Sequence, residues 1–228
     1  MSQFFVPDLK TEILGETARH IVNARRLKES DEINIFDGNG HGARARILKV
    51  SRHPLKLQIK ILEKFSGEKP FPEITLYAAL IKPPCLRLCI EKTTELGITK
   101  FVPLKTARSF RKKIPRARLE KILIAACSQS GRKFIPSLDE TKDFLIGIKD
   151  WKKSGGAGFI MSAAAPPMRI GGNFRKISFF VGPEGGFTEK ETEKAIAAGL
   201  TPASLGNFVL RSETAAIAAV ANCRREEK

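Results

Sequence analysis

A chain of 228 residues, 42% hydrophobic and 28% charged, has the apolar content for one large or two small cores and is not a disordered polymer. No apolar run approaches the roughly 20 residues of a membrane helix, and acids interrupt the N-terminal MSQFFVPDLKTEILGE, so a cytoplasmic protein with no membrane and no secretory signal is expected. The net charge of +16 points instead to a polyanionic partner.

Short strands dominate the first part of the chain. Segments 31–36 (DEINIF) and 43–50 (ARARILKV) flank Asp37-Gly-Asn-Gly40, a strong hairpin turn, and 55–62 (LKLQIKIL) alternates as a third strand. A short helix over 16–27 precedes the hairpin, and the whole reads as a compact β-barrel. Segment 66–72 (SGEKPFP), with two prolines and a glycine, reads as a linker.

From Glu73 the rhythm becomes strand and helix in alternation. Segment 74–81 (ITLYAALI) is an apolar strand, followed by a helix from about Pro84 to Leu96 with Gly97 at its C-terminal cap. Segment 99–104 is a strand, and Leu119, Ile122, Leu123 and Ala126 recur at the spacing of an amphipathic helix. Segments 158–161 and 177–181 are further buried strands. Thr188 and Glu191 form a capping box opening a helix that Gly199 ends, and Ser212 is expected to cap a last helix. Continuously apolar strands alternating with helices imply an α/β domain on a parallel sheet.

The cysteines Cys85, Cys89, Cys127 and Cys223 form no Cys-x-x-Cys pair, and His20, His41 and His53 lie far from them in sequence. Neither a metal site nor a disulfide is expected; Cys85 and Cys89, four apart, share a helix face as free thiols. The basic charge is concentrated: residues 105–133 hold ten Lys or Arg against one acid, Glu120. Clustered like charges repel unless a polyanion neutralises them, so RNA or DNA is the expected partner, with a plain solvated face as the alternative.

Three loops follow buried strands: 161–167 (MSAAAPP), 182–188 (GPEGGFT) and 205–212 (LGNFVLRS). Ligands of open parallel sheets bind beyond the carboxyl ends of strands. Pro183 stiffens the second loop, while Gly182, Gly185 and Gly186 leave its backbone free to approach a ligand. The loop is neither a P-loop nor Gly-x-Gly-x-x-Gly, and taken alone it is equally well a tight turn.

The combination says more. Phe179-Phe-Val-Gly-Pro-Glu-Gly-Gly-Phe-Thr188, followed by Leu205-Gly-Asn-Phe-Val-Leu-Arg-Ser-Glu-Thr-Ala-Ala216, resembles the signature of SPOUT methyltransferases. More narrowly, with 91–97 (EKTTELG), 107–110 (ARSF) and 125–136 (AACSQSGRKFIP), it resembles the bacterial family that methylates N3 of a uridine in 16S ribosomal RNA. Phe4-Phe-Val-Pro7 and His20, Arg26, Asp31 and Phe36-Asp-Gly38 resemble that family's N-terminal module. Three positions depart from the pattern: Gln3 stands where a basic residue usually precedes Phe-Phe, Ala24-Arg25 replaces an apolar pair, and Ser30 replaces a glycine.

The resemblance implies a PUA-like RNA-binding β-barrel over 1–70 and a SPOUT methyltransferase domain, threaded into a trefoil knot, over 73–228. It implies a homodimer acting on 16S ribosomal RNA or the small ribosomal subunit. It further implies that the three loops hold S-adenosyl-L-methionine through Met161, Ser162, Val181, Gly182, Pro183, Glu184, Gly185, Gly186, Leu205, Gly206, Val209 and Leu210.

Uridine N3 is protonated at neutral pH and must lose its proton to become nucleophilic, either to a base or with a cation favouring the anionic uracil. Arg211 is the candidate cation, with phosphate contact or pairing to Glu213 as alternatives. Glu213 is a candidate base, although an acid in a helix's first turn is stabilising without catalysis. Glu184 could orient its loop or face a positive sulfonium. Candidates for RNA contact are Arg108, Arg111, Lys112, Lys113 and Arg132, with Arg25 and Arg26 in the small domain. Two rivals stand beside this reading: a methyltransferase of the ribose 2′-hydroxyl, against which segments 95–97 and 128–132 speak, and a non-catalytic RNA-binding or ribosome-assembly protein, against which the intact loops speak.

Overall fold

The turn at Asp37–Gly40 folds as its residues require. The Asp37 carboxylate accepts from the amides of Asn39 (2.7 Å) and His41 (3.1 Å), while Gly38 and Gly40 take φ of 81° and 105°, where a side chain is disfavoured. The turn joins β3 (Glu32–Phe36) to β4 (His41–Arg52), which pairs antiparallel with β5 (Leu55–Ser66). Strand β1 (Gln3–Phe5) runs parallel to β3, and β2 (Glu12–Leu14) antiparallel to β5. The curled sheet has the order β1-β3-β4-β5-β2, bent by register shifts in the long β4–β5 pair. Helix α1 (Gly15–Arg25) follows β2, and Ala18 and Ile21 join Ile35, Ala45, Ile47, Leu57 and Ile59 in the core. The computed structural model describes residues 3–25, 27–52, 54–112, 114–171 and 173–223, the side chains of Ala24 and Arg25 excepted.

The chain divides into two units: residues 1–69 with 124–135, and residues 70–123 with 136–228. The segment 124–135 is thus grouped with the N-terminal strands, which a linear reading of the sequence does not anticipate. Buried Gln3 donates from Nε2 to the Arg132 carbonyl at 2.6 Å and to that of Cys127 at 3.3 Å. Amide-to-carbonyl bonds from Ile135 to Gly38 (2.9 Å) and from Gly40 to Lys133 (3.1 Å) tie the segment to the hairpin turn.

In the second unit β6 (Glu73–Ala79), β7 (Lys100–Lys105), β8 (Ser137–Leu138), β10 (Ala157–Met161), β11 (Lys176–Val181) and β12 (Thr201–Ala203) form a sheet of order β12-β10-β11-β6-β7-β8, with β9 (Lys142–Asp143) also on β7. Every pairing is parallel. Helices α2 (Pro83–Glu95), α3 (Arg116–Ser130), α4 (Phe144–Ser154), α5 (Glu189–Ala197) and α6 (Ser212–Ala221) complete the chain, α3 spanning the division between the units.

The core of the second unit is aromatic. Tyr77 of β6 stacks on Phe180 of β11 at 4.3 Å, and Trp151 and Phe144 of α4 meet the Phe180 ring edge-on. Helix α4 was not legible in the sequence: Gly147 weakens its intrinsic preference, and packing against this cluster makes it. Strands β8, β9 and β12, of two or three residues, are too short to show a period. No helix among the described residues is long and apolar enough to cross a membrane.

Candidate functional site

Strands β12, β10 and β11 are neighbours, so the loops leaving their carboxyl ends emerge side by side. Backbone bonds lace the first loop to the third: Ser162 N to Ala203 O (2.9 Å), Ser204 N to Pro166 O (2.8 Å) and Met168 N to Ser204 O (2.8 Å). The loops enclose a cavity of about 320 Å³, within the range of small-ligand sites. Every residue expected at the cofactor lines it except Gly206, which is exposed and takes φ of 129°. Ala215 of α6, within the second motif but not among the expected contacts, also lines it, as do Thr192 of α5 and Ala203 and Ser204 at the end of β12, which no motif carried.

The second loop is held from several directions. Gly182 and Pro183 are buried. Ser212 is not the cap of α6 that its residue type suggested: Arg211 occupies the cap position, and the Ser212 hydroxyl donates to the Gly182 carbonyl at 2.6 Å. The loop leads into α5 through the expected capping box, with the Glu191 carboxylate accepting from the Thr188 amide at 2.8 Å and the Thr188 hydroxyl accepting from the Glu191 amide at 3.2 Å. Glu191 also accepts from the Ala107 amide at 2.8 Å, through its other oxygen.

Arg108, expected on RNA phosphates, donates from Nη1 to the Gly185 carbonyl at 2.6 Å. The front of the basic segment thus reaches the loop of its own chain. Arg111 and Lys112, a few positions on in the sequence, are exposed, whereas Arg132 belongs to the other unit. Arg26 and Lys113 lie outside the described residues, as does the side chain of Arg25.

Arg211 is exposed and Glu213 is 6% exposed in the first turn of α6; neither is among the residues lining the cavity. The Cys85 thiol, in the first turn of α2, hydrogen-bonds to the Glu213 carboxylate. Burial and this carboxylate push the thiol above its ordinary range, with Glu184 adding to the shift and Arg211 opposing it. Cys89, one turn on and fully buried, is pushed to about 12, first by burial and then by Glu213. Glu184 itself is exposed on the cavity wall.

A family model of the RNA methyltransferase domain matches residues 67–224, and one of the RNA methyltransferase PUA domain matches residues 13–60. This chain belongs to the RNA methyltransferase family. The methyltransferase is 33% identical over 226 residues to ribosomal RNA small subunit methyltransferase E of Rickettsia conorii, covering 94% of this chain and 89% of that protein. It is 30% identical to the protein of the same name from Bacillus subtilis, covering 91% and 87%. The crystal structure of a ribosomal RNA small subunit methyltransferase E from Neisseria gonorrhoeae bound to S-adenosyl methionine matches with TM-score 0.86 at 30% identity, covering 97% of this chain and 96% of that one. The methyltransferase has the expected α/β parallel-sheet domain and a PUA-like domain.

Proposed function

We propose that this methyltransferase transfers a methyl group from S-adenosyl-L-methionine to N3 of a uridine in 16S ribosomal RNA, as a cytoplasmic homodimer with a knotted catalytic domain. The observation that carries the reading is the cavity that the three loops enclose at the ends of β10, β11 and β12, in a chain of this family. The crystal structure from Neisseria gonorrhoeae, matching over nearly the whole chain, holds that cofactor.

The residues present fit such a molecule. Val181, Leu205, Leu210 and Ala215 give apolar walls for a base, while the glycine-rich stretch 182–186 leaves backbone amides and carbonyls able to read polar edges. Exposed Glu184 is the one acid among the lining residues and suits a positive charge. The cofactor supplies a methyl group on a sulfonium; as N3 takes it, the N–C bond forms, the C–S bond breaks, and the N3 proton leaves to solvent or a base.

The chain's own contribution is to position the partners and favour the anionic uracil. Arg211, exposed between the lining residues Leu210 and Ser212, is the cation that this reading assigns to that charge. Glu213, buried and hydrogen-bonded by Cys85, holds the start of α6 in this reading. The exposed cations Lys105, Arg111 and Lys112 position RNA through its phosphates, and the base is selected at the cavity.

The test is mass-spectrometric mapping of methylated nucleosides after incubation of pure protein with small ribosomal subunits and labelled cofactor. N3-methyluridine is expected. A 2′-O-methyl nucleoside would transfer the reading to a ribose methyltransferase, and RNA binding without methylation would make the protein an assembly factor. Sedimentation of the protein alone as a monomer would remove the dimer.

A further inference from the structure

Two large apolar side chains at the cavity are almost bare. Phe208 and Val209 line it yet stand 84% and 86% exposed. The other lining aromatic, Phe187, packs its ring on Phe144 at 5.0 Å; among the described residues no ring lies against Phe208. The third loop thus presents an aromatic face at the opening of the cavity, next to a backbone bend at Gly206.

We propose that Phe208 is the platform on which the acceptor base stacks, and so a specificity-determining residue of the methyltransferase; the inference rests on the methyl transfer proposed above. In-line transfer brings the acceptor nitrogen within about 3–3.5 Å of the methyl carbon, so the base plane must lie in the opening of the cavity. A base drawn out of its RNA stack has lost its neighbours and needs a replacement surface, which aromatic side chains supply. Among the lining residues open to solvent (Ala163, Glu184, Gly185, Phe208 and Val209), Phe208 alone carries a π face. Arg211, three positions on in the sequence and also exposed, is a cation for the carbonyl oxygens of a base held there. A second copy of the chain is the rival occupant. Two side chains are a small fraction of the roughly 800 Å² per partner that a stable interface buries, so they make a base-sized contact by themselves.

The experiment compares the wild type with Phe208→Leu, Phe208→Ala and Phe208→Tyr, measuring cofactor binding by calorimetry, methyl transfer to small ribosomal subunits, and sedimentation. With a stacking platform, the Leu and Ala variants bind S-adenosyl-L-methionine as the wild type does, sediment as it does, and show a KM for the subunit raised on the order of tenfold. The Tyr variant recovers most of that loss. A Leu variant with wild-type KM overturns the platform, because an aliphatic side chain of similar size would then suffice. A change in sedimentation also overturns it and assigns Phe208 to contact between copies. A wild type that methylates no uridine removes the reaction itself, an outcome distinct from a wild type that is active and a Leu variant that is equally so.

Discussion

The loops at 182–188 and 204–211 face the same cavity and are built in opposite ways. The first is fastened: Gly182 and Pro183 are buried, Ser212 grips one carbonyl, Arg108 grips another, and the capping box of α5 closes its end. The second is tied at its root through Ser204 and at its end where the Arg211 carbonyl accepts from Ala215, and between them it runs exposed from Gly206 to Val209. A fixed wall suits a cofactor whose polar edges are read by backbone groups, since each such bond needs a donor or acceptor already in place. An open wall suits an acceptor that arrives as part of a much larger RNA. Fixed and open walls around one cavity separate what must be held from what must be admitted.

The largest expected effect is at the fastener of the fixed wall. Ser212→Ala leaves the Gly182 carbonyl without its partner in a buried place and should cost about 2 kcal/mol of stability, lowering Tm by about 5 °C. Calorimetry should show weaker cofactor binding as well. An unchanged Tm would mean that the loop is held elsewhere and the contrast between the walls is overstated.

Arg108→Ala should weaken S-adenosyl-L-methionine binding about tenfold with little change in Tm, because the bond it removes is to an exposed cation and orients Gly185 without supporting the core. The same variant sharpens the assignment of the basic segment. If Arg108 serves the loop, the slope of log K for RNA against log salt stays as it was; each true phosphate contact removed should flatten it by about 0.7. Replacing Arg111 and Lys112 together should show that flattening.

Gly206→Ala probes the open wall. An added Cβ meets nothing within 4 Å, so the only strain is in the backbone at φ 129°, worth about 1 kcal/mol. A several-fold loss of cofactor affinity is expected, with Tm lowered by only about 3 °C. A fall in Tm as large as that of Ser212→Ala would show the second loop to be structural too.

The smallest effect lies away from both walls and calibrates them. Lys142 of β9 bonds Asp139 at 2.7 Å and also Asp150, and Lys100 bonds Asp139 at 2.9 Å. Burial opposes ionisation of Asp139, yet the Lys142 and Lys100 ammonium groups hold its carboxyl below the usual range; bonding to Asp139 and Asp150 lifts Lys142 to about 12. Asp139 therefore contributes stability present above its unfolded pKa and lost as pH falls through its lower folded value. Lys142 contributes stability present below its unfolded pKa and lost as pH rises through about 12. Lys142→Met should cost about 0.5–1 kcal/mol at neutral pH, the solvent-screened worth of a partly exposed cluster. Melts at a series of pH values should show that difference shrink below about pH 4 and above about pH 10.5, while cofactor affinity at neutral pH stays unchanged.

Sequence by itself determined the features that rest on local chemistry. The Asp37–Gly40 turn, the Thr188–Glu191 capping box and the apolar strands follow from residue type and spacing within a few positions, and the glycine-rich stretch, by itself equally well a tight turn, lines the cavity. Ser30, at a position where the resembling family carries glycine, sits at φ 75°, a backbone constraint that the structure shows and the sequence alone did not. What only the tertiary structure decided are the contacts between residues far apart in the chain: Arg108 on Gly185, Ser212 on Gly182, Cys85 on Glu213, and residues 124–135 with the N-terminal strands. Residue type misleads there, since a serine before a helix suggests a cap and an arginine in a basic run suggests a phosphate. The physical reason is the strand order. Once β12, β10 and β11 are neighbours their loops share a cavity, and that order, like the grouping of 124–135 with the N-terminal strands, is set by the packing of whole strands and helices, which no local pattern encodes.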